Sequence, residues 1–455
     1  MSLNVLILAA GKGTRMNSKL PKVLQPLGGR PLLAHVINTA QALQADKVIG
    51  VIGHGADAVK QAFADSAVDW VLQTEQLGTG HAVSVAADHL DDDACVVILY
   101  GDVPLISDAT LQDLIAQVKT THPLALLTLI MHDSTGYGRI VRDSHFKVQA
   151  IVEEKDATPE QRQIKEVNTG IMAVRGLELK KWLSQLDNNN AQREYYLTDI
   201  IAMCVADGFE VNSAQPANAI EVLGVNDKVQ LQALEREYQL AQATALMRQG
   251  VTLADASRLE IRGHVTAGKD VFIDVNVVLE GNNQLAEDVT IGANCHLKNV
   301  ILGQGVKVQP FSHLEDCVID ADCVIGPYAR LRPGTELAEG VRIGNFVETK
   351  KVRIGKGSKV NHLSYIGDTL MGEGCNIGAG TITCNYDGVN KHLTEIGNNV
   401  FVGSDTQLIA PVKVNDGATI GAGSTITKEV PAEELTLSRS KQLTIKGWHK
   451  PVKKG

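Results

Sequence analysis

Aromatic residues are scarce, 4% of the chain, so the interior must be filled by Val, Ile, Leu and Ala instead of stacked rings. Basic charge is not in surplus either: the formal charge is −9, which argues against general binding to nucleic acid or to an anionic membrane surface. A phosphate-bearing ligand must then be held by local cations or backbone amides. No apolar run approaches the ~20 residues of a membrane-spanning helix. Met1–Ala10 lacks a basic flank and leads into Gly-Lys-Gly-Thr-Arg, so it reads as a first strand and not as a secretion signal. The 7 Cys contain no C-x-x-C pair, which fits reduced thiols in a cytoplasm and offers no zinc spacing. The P-loop string is missing, and Met16 stands where a dinucleotide fingerprint would need its third Gly.

What is present divides into three grammars, and 455 residues is enough for two or three domains. Residues 1–226 alternate short β-rich runs (Val5–Leu8, Val48–Ile52, Val96–Tyr100, Leu124–Leu129) with helical segments such as Pro31–Leu43 and Leu111–Val118. Such alternation predicts a Rossmann-like α/β domain with a mostly parallel sheet and its ligand at the strands' carboxyl ends. Residues 227–248 read as one linker helix, with Leu231, Leu234, Tyr238 and Ala241 on a single face. From 249 to 455 aliphatic–Gly pairs recur (Ile325–Gly326, Ile343–Gly344, Ile377–Gly378, Val402–Gly403, Ile420–Gly421), and positions 396, 402, 420 and 426 are spaced by 6, 18 and 6. Hexapeptide periodicity of this kind predicts a parallel β-helix of triangular coils, the aliphatic residue pointing inward. Cys317 and Cys323, six apart, follow the same repeat. Thr383–Thr394 breaks the pattern and predicts an extruded loop.

Two places carry chemistry. Gly11-Lys12-Gly13-Thr14-Arg15 follows the first strand, with Pro21-Lys22 close behind. A Gly-rich turn there aims backbone N–H groups at phosphate, and Arg15 and Lys22 suit a triphosphate whose leaving pyrophosphate needs stabilising. Asp102, just past the strand Val96–Leu99, supplies the hard oxygen that Mg²⁺ shares with phosphates. In the second half, His362 lies inside the repeat, downstream of Lys350, Lys351, Arg353, Lys356 and Lys359 and upstream of the loop bearing Asn385 and Tyr386. A base, an anion-binding edge and a covering loop are what acyl transfer to an amine requires.

The segment 8–22, Gln73 with Leu77–His81, Tyr100–Pro104, Gly136–Arg139, Glu153, Asn168–Gly170 and Gly224–Asn226 resemble sugar-nucleotide pyrophosphorylases. With the second half included, the whole chain resembles the bifunctional N-acetylglucosamine-1-phosphate uridyltransferases/glucosamine-1-phosphate acetyltransferases. The resemblance implies that Leu8, Ala9, Ala10, Gly11 and Lys22, with Gln73, Gly78, Thr79, Tyr100, Gly101 and Asp102, hold the uridine nucleotide. Gly138, Glu153 and Asn168 would hold the N-acetylglucosamine moiety, Asp102 and Asn226 would bind Mg²⁺, and Arg15 and Lys22 would act on the phosphates. It further implies a left-handed β-helix, a homotrimer with active sites between neighbouring prisms, and a cytoplasmic enzyme. His362 would be the general base, Arg332, Lys350, Tyr365 and Asn376 would place glucosamine-1-phosphate, and Ala379, Asn385, Tyr386, Ser404, Ala422 and Arg439 would contact acetyl-CoA. Two positions depart from the family pattern: Leu223 stands where an acidic residue is expected, and Arg193 where Gly is usual. A pyrophosphorylase whose β-helix only oligomerises or binds a regulator is the rival reading.

Overall fold

The computed structural model describes residues 2–453, which divide into two compact units, up to Tyr238 and from Gln239 onward. In the first, the strand Leu3–Ala9 lies at the heart of a nine-stranded sheet, paired in parallel with Lys47–Ile52 on one side and Cys95–Tyr100 on the other. Val5, Leu6 and Ile7 are wholly buried, as an unbroken aliphatic run must be when helices cover both faces of a sheet. The register sets Leu8 against Tyr100, so the loops that begin at Ala10 and Gly101 leave the sheet at one edge. Orientation is not uniform. Glu166–Arg175 runs antiparallel between Cys95–Tyr100 and Leu124–Ile130, and its register shifts between Asn168 and Met172. That bulge contains Gly170, whose φ is +86°, and it brings Asn168 and Thr169 to the same sheet edge.

The second unit is the left-handed parallel β-helix. One of its sheets stacks 11 strands of two to four residues, from Thr252–Leu253 to Leu435–Thr436. A second, 13-stranded sheet holds longer strands such as His296–Leu302 and Glu348–Ile354, which bend across a corner. The repeat aliphatics Ile325, Ile343, Ile354, Ile366, Ile377, Ile396, Val402, Ile420 and Ile426 are at most 4% exposed, and Cys317 and Cys323 sit among them. Where the chain turns a corner its carbonyls would be stranded in this apolar interior. Buried hydroxyls meet them: Thr335 donates to Arg332 O at 2.7 Å, Thr381 to Gly378 O at 2.7 Å and Thr406 to Gly403 O at 2.6 Å.

The pattern-breaking segment leaves the stack between the strands Ile382–Cys384 and Thr394–Ile396. It is self-bonded: Tyr386 bridges Lys391, and the His392 N–H donates to Asn385 O at 2.8 Å. The linker helix spans Lys228–Arg248. Leu231, Leu234 and Tyr238 are at least half-buried, but Ala241 is exposed, and the covered residues after Tyr238 are Gln239, Ala243 and Leu246. The face changes because the helix serves two cores in succession. Gln239 is buried without cost since its amide exchanges bonds of 2.8 and 2.7 Å with the backbone of Ile261.

Gly344 shows how tightly the coils stack. A Cβ at that position would fall 2.0 Å from Asn361 O, whereas one on Gly357 would meet nothing within 4 Å. Gly344→Ala is expected to destabilise the β-helix by roughly 3 kcal/mol. Gly357→Ala, which carries only the left-handed backbone penalty, should cost about 1 kcal/mol. Denaturant unfolding of the two variants checks the contrast.

Candidate active sites

At the carboxyl edge of the first unit's sheet, Leu8, Ala9, Ala10, Gly11, Lys22, Gln73, Gly78, Thr79, Tyr100 and Asp102 line a cavity of about 250 Å³. Gly101 does not reach it. That residue is buried beneath, where a Cβ would press on Ala9, Leu33 and Val23 at 3.2 Å. Four lining residues, Val23, Gln76, Ala82 and Glu194, escaped the sequence reading, although Gln76 lies only three residues past Gln73. Gln73 is itself nearly buried, donating to Gly78 O at 3.3 Å and touching His81 Nδ1 at 3.0 Å, which fixes the turn before the helix Thr79–Ser84.

Four side chains from distant parts of the chain meet here: Lys22 and Asp102 line the cavity, and Asn226 and Arg15 join them from outside its lining. Lys22 Nζ pairs with Asp102 Oδ2 and lies 3.4 Å from Asn226 Oδ1, to which Arg15 Nη2 donates at 2.9 Å. The Val225 N–H donates to Asp102 O at 2.9 Å, stitching the two oxygen-bearing segments together. Lys22 comes this close because Gly13 turns left-handed (φ +59°), and a Cβ there would lie 2.7 Å from Lys22 Cβ. Asp102 and Asn226 therefore offer a carboxylate and an amide oxygen that already share one cation. No cluster of three His, Cys, Asp or Glu able to hold a metal occurs among the described residues. The donor set fits Mg²⁺, which takes one or two protein oxygens and draws the rest from phosphate and water.

The sugar end lies beside it. The Asn168 N–H donates to Gly138 O at 2.8 Å, and a Cβ on Gly138 would stand 3.4 Å from both carboxylate oxygens of Glu153. Thr198 Oγ1 donates to Glu153 Oε1 at 3.1 Å. Burial raises the Glu153 pKa, only partly offset by that bond, and Asp156 and Glu194 add to the rise. The Gly136–Gly138 turn is clamped from below by buried Arg139, which bonds Tyr137 O and Glu154 Oε2 (2.6 Å). Both departures from the family pattern find a place. Arg193 adopts φ +56°, the conformation Gly takes freely. Leu223 packs against the apolar cluster of Met16, Leu27, Leu32, Val225 and Leu234.

On the prism, strand register sets Asn345 against His362, while Ile377, Val402 and Ile420 stack in the continuing rungs. Ala379, Ser404 and Ala422, two residues past those aliphatics, thus extend the column of His362. Successive backbone bonds stitch it: Leu363 N–H to Asn345 O (3.1 Å), Gly380 N–H to His362 O (3.4 Å), Asp405 N–H to Ala379 O (2.7 Å) and Gly423 N–H to Ser404 O (2.8 Å). Arg439 closes the run, donating to Ala422 O at 2.9 Å. Exposed His362 places Nδ1 2.9 Å from Asn345 Oδ1. Around the corner, Asn385 donates to Asp368 and sits 3.5 Å from the Tyr365 hydroxyl. Lys350 pairs in register with Gly367, one coil above the rung of Arg332. Asn376 lies on the other face, in register with Lys359. The loop brings a residue the sequence reading missed: Lys391 faces Lys350, and this contact, with Arg332 adding to it, lowers the Lys350 pKa. Glu348 pairs with Arg332 at 2.7 Å, and Asp368 offsets the like charge at Lys350 only in part, so this exposed cluster keeps a net positive field that favours an anion.

Residues 5–141 match the MobA-like NTP transferase domain, 261–347 the GMPPB C-terminal domain, and 393–428 the bacterial transferase hexapeptide repeats. These matches and the two sites define a nucleotidyltransferase continued into a hexapeptide-repeat transferase. The chain is 57% identical to the bifunctional protein GlmU of Acinetobacter baylyi, covering 100% of this sequence and 99% of that one. It is 56% identical to those of Marinobacter nauticus and Aromatoleum aromaticum, covering 99% of each sequence in both comparisons. The chain belongs to the GlmU family, and it is a bifunctional uridyltransferase and glucosamine-1-phosphate acetyltransferase. A prism that only oligomerises is thereby set aside.

The carboxylates near the sugar end give a pH test. Burial, and then the nearby Asp187, Glu153 and Asp156, push Asp199 up to about 6, above the ~4 of an unfolded chain. The folded state thus binds this proton more tightly, and stability falls as pH rises through that window. Asp199→Asn should be more stable than the parent by roughly 1 kcal/mol at neutral pH, after discounting for solvent. The gap should close as pH falls below the unfolded value, as read by denaturant unfolding across the range.

Proposed function

We propose that the first site transfers the uridylyl group of UTP to N-acetylglucosamine-1-phosphate, and that the second makes that sugar phosphate by acetylating glucosamine-1-phosphate. The observation that carries the first assignment is the meeting of Arg15 and Asn226 with Lys22 and Asp102, the last two of which line the cavity at the strand ends. The sugar phosphate attacks the α-phosphorus in line and pyrophosphate leaves, so the protein's task is placement and charge neutralisation. Lys22 and Arg15 stabilise the negative charge on the phosphates, and the turn from Ala10 to Gly13 aims N–H groups at them. Gly138, Glu153 and Asn168 seat the sugar. Asp102 and Asn226 would hold Mg²⁺, which when bound neutralises charge on the nucleotide.

In the second site the Asn345 side-chain oxygen only accepts, so Nδ1 of His362 carries the proton and Nε2 is left as the lone pair. That lone pair takes the proton of the attacking amine as acetyl-CoA is cleaved. Arg332 and Lys350, joined by Lys391, bind the sugar's phosphate, with Tyr365, Asn376 and Asn385 placing the ring. Tyr386, Ala379, Ser404, Ala422 and Arg439 line the thioester's approach. In functional terms residues 1–226 are the uridyltransferase, 227–248 the linker and 249–455 the acetyltransferase. We infer a homotrimer with this reading, since the His362 column of a single prism is exposed and lacks a covering wall. The described residues contain no helix long and apolar enough to cross a membrane, and we place the enzyme in the cytoplasm.

With glucosamine-1-phosphate, acetyl-CoA, UTP and Mg²⁺ together, UDP-N-acetylglucosamine should form, and omission of any one should stop it. His362→Ala should lower acetyl transfer by at least ~10²-fold with uridyl transfer intact. Asp102→Ala, or a chelator, should do the reverse. Loss of both activities in either variant would refute the division of labour.

A further inference from the structure

Asn226 belongs to neither a strand nor a helix: it lies between the short helical turn Ala219–Val222 and the helix Lys228–Arg248. Its side-chain oxygen is only as well placed as its backbone. The opening of the helix supplies what the sheet does not. Asp227 Oδ1 accepts the Gln230 N–H at 2.8 Å, and Gln230 Oε1 reaches back to accept the Asn226 N–H, also at 2.8 Å. This is the reciprocal capping pattern of helix starts, shifted by one residue so that the return bond falls on Asn226. The same turn braces the opposite wall. Lys228 Nζ donates to Gln25 Oε1, and Gln25, 2% exposed, donates to Leu20 O at 2.9 Å and Ser18 Oγ at 3.1 Å. The segment it pins, residues 18–25, carries Lys22.

We propose that Gln230 is a positioning residue for the uridyltransferase: by holding the Asn226 main chain it aims the Asn226 side-chain oxygen, and so sets the site's affinity for its divalent cation. The proposal rests on the reading of Asp102 and Asn226 as the metal-holding pair. Gln230 is exposed and does not line the nucleotide cavity. Its effect should therefore appear in metal affinity and not in the rate at saturating metal.

Mn²⁺ binding to the full-length enzyme with UTP present, followed by electron paramagnetic resonance, reads this without turnover. Gln230→Ala is expected to weaken Mn²⁺ binding roughly five- to tenfold, the low end for residues that orient metal ligands. Gln230→Glu keeps an acceptor for the Asn226 N–H and should stay within about twofold of wild type. In uridyl transfer, the half-saturating Mg²⁺ concentration of Gln230→Ala should rise by the same factor, with the plateau rate, acetyl transfer and thermal midpoint unchanged. Asp102→Ala serves as the control. If it binds Mn²⁺ like wild type, the metal reading fails and the proposal with it. If it loses Mn²⁺ while Gln230→Ala stays within twofold of wild type, or Gln230→Glu is as weak as Gln230→Ala, the proposal alone is overturned.

Discussion

Lys22 holds the first half's chemistry together. Its ammonium meets oxygens borne 80 and 204 residues further along the chain. A partly buried lysine needs a counter-charge, and Asp102 provides it at a place the sheet dictates, since parallel neighbours in register deliver their carboxyl ends side by side. Once that pair is set, Val225 hydrogen-bonds to the Asp102 carbonyl and carries Asn226 into range. The phosphate turn, the metal ligands and the start of the connecting helix are thus consequences of one electrostatic requirement acting on one sheet edge.

The prism works under a different constraint. Every coil must repeat its neighbour's backbone, because each strand's hydrogen bonds are spent on the coil above and below. A functional side chain can then appear only as a column or as a protrusion. Both are used. His362 stands in a column that begins at Asn345 and runs on through Ala379 and Ser404. Asn385 and Lys391 come from the segment that leaves the stack. That segment is ordered by its own bonds. His392, together with the N–H groups of Asn390 and Val389, holds the Asp387 pKa well below the usual carboxylate range.

How far the sequence could be read follows from how local each signal is. The strand-end motifs lie within a few residues of the strands that place them, so Gly11, Lys22 and Asp102 could be read directly. The hexapeptide spacing is a local signal repeated, and the aliphatics it marked from Ile325 to Ile426 all point inward, while earlier core residues such as Ile273 and Val308 lack the Gly partner that made the pattern visible. Strand direction is not local: nothing in Glu166–Arg175 itself says that it runs against its neighbours. Glu194 and Lys391 were missed for the same reason, each reaching its site from a loop whose path depends on distant packing. Ala241 failed as a face residue because a helix shared by two cores keeps no single stripe.

The geometry of the second site also bears on how it must be completed. A triangular prism is convex, and His362, Tyr386 and Lys391 are exposed on it. A base in open water competes with solvent for its proton, and a thioester in open water gains little from fixed dipoles, whose strength depends on excluding water. Lys350, Lys391 and Arg332 draw an anion, but surface cations alone bind one weakly in a screened medium. An exposed column of this kind lacks a covering wall on its own prism, and the trimer proposed above would supply one. On this argument the hexapeptide repeat does more than carry the active-site column: a straight, rigid stack is a surface against which a second copy can pack in register, closing each His362 column along its length.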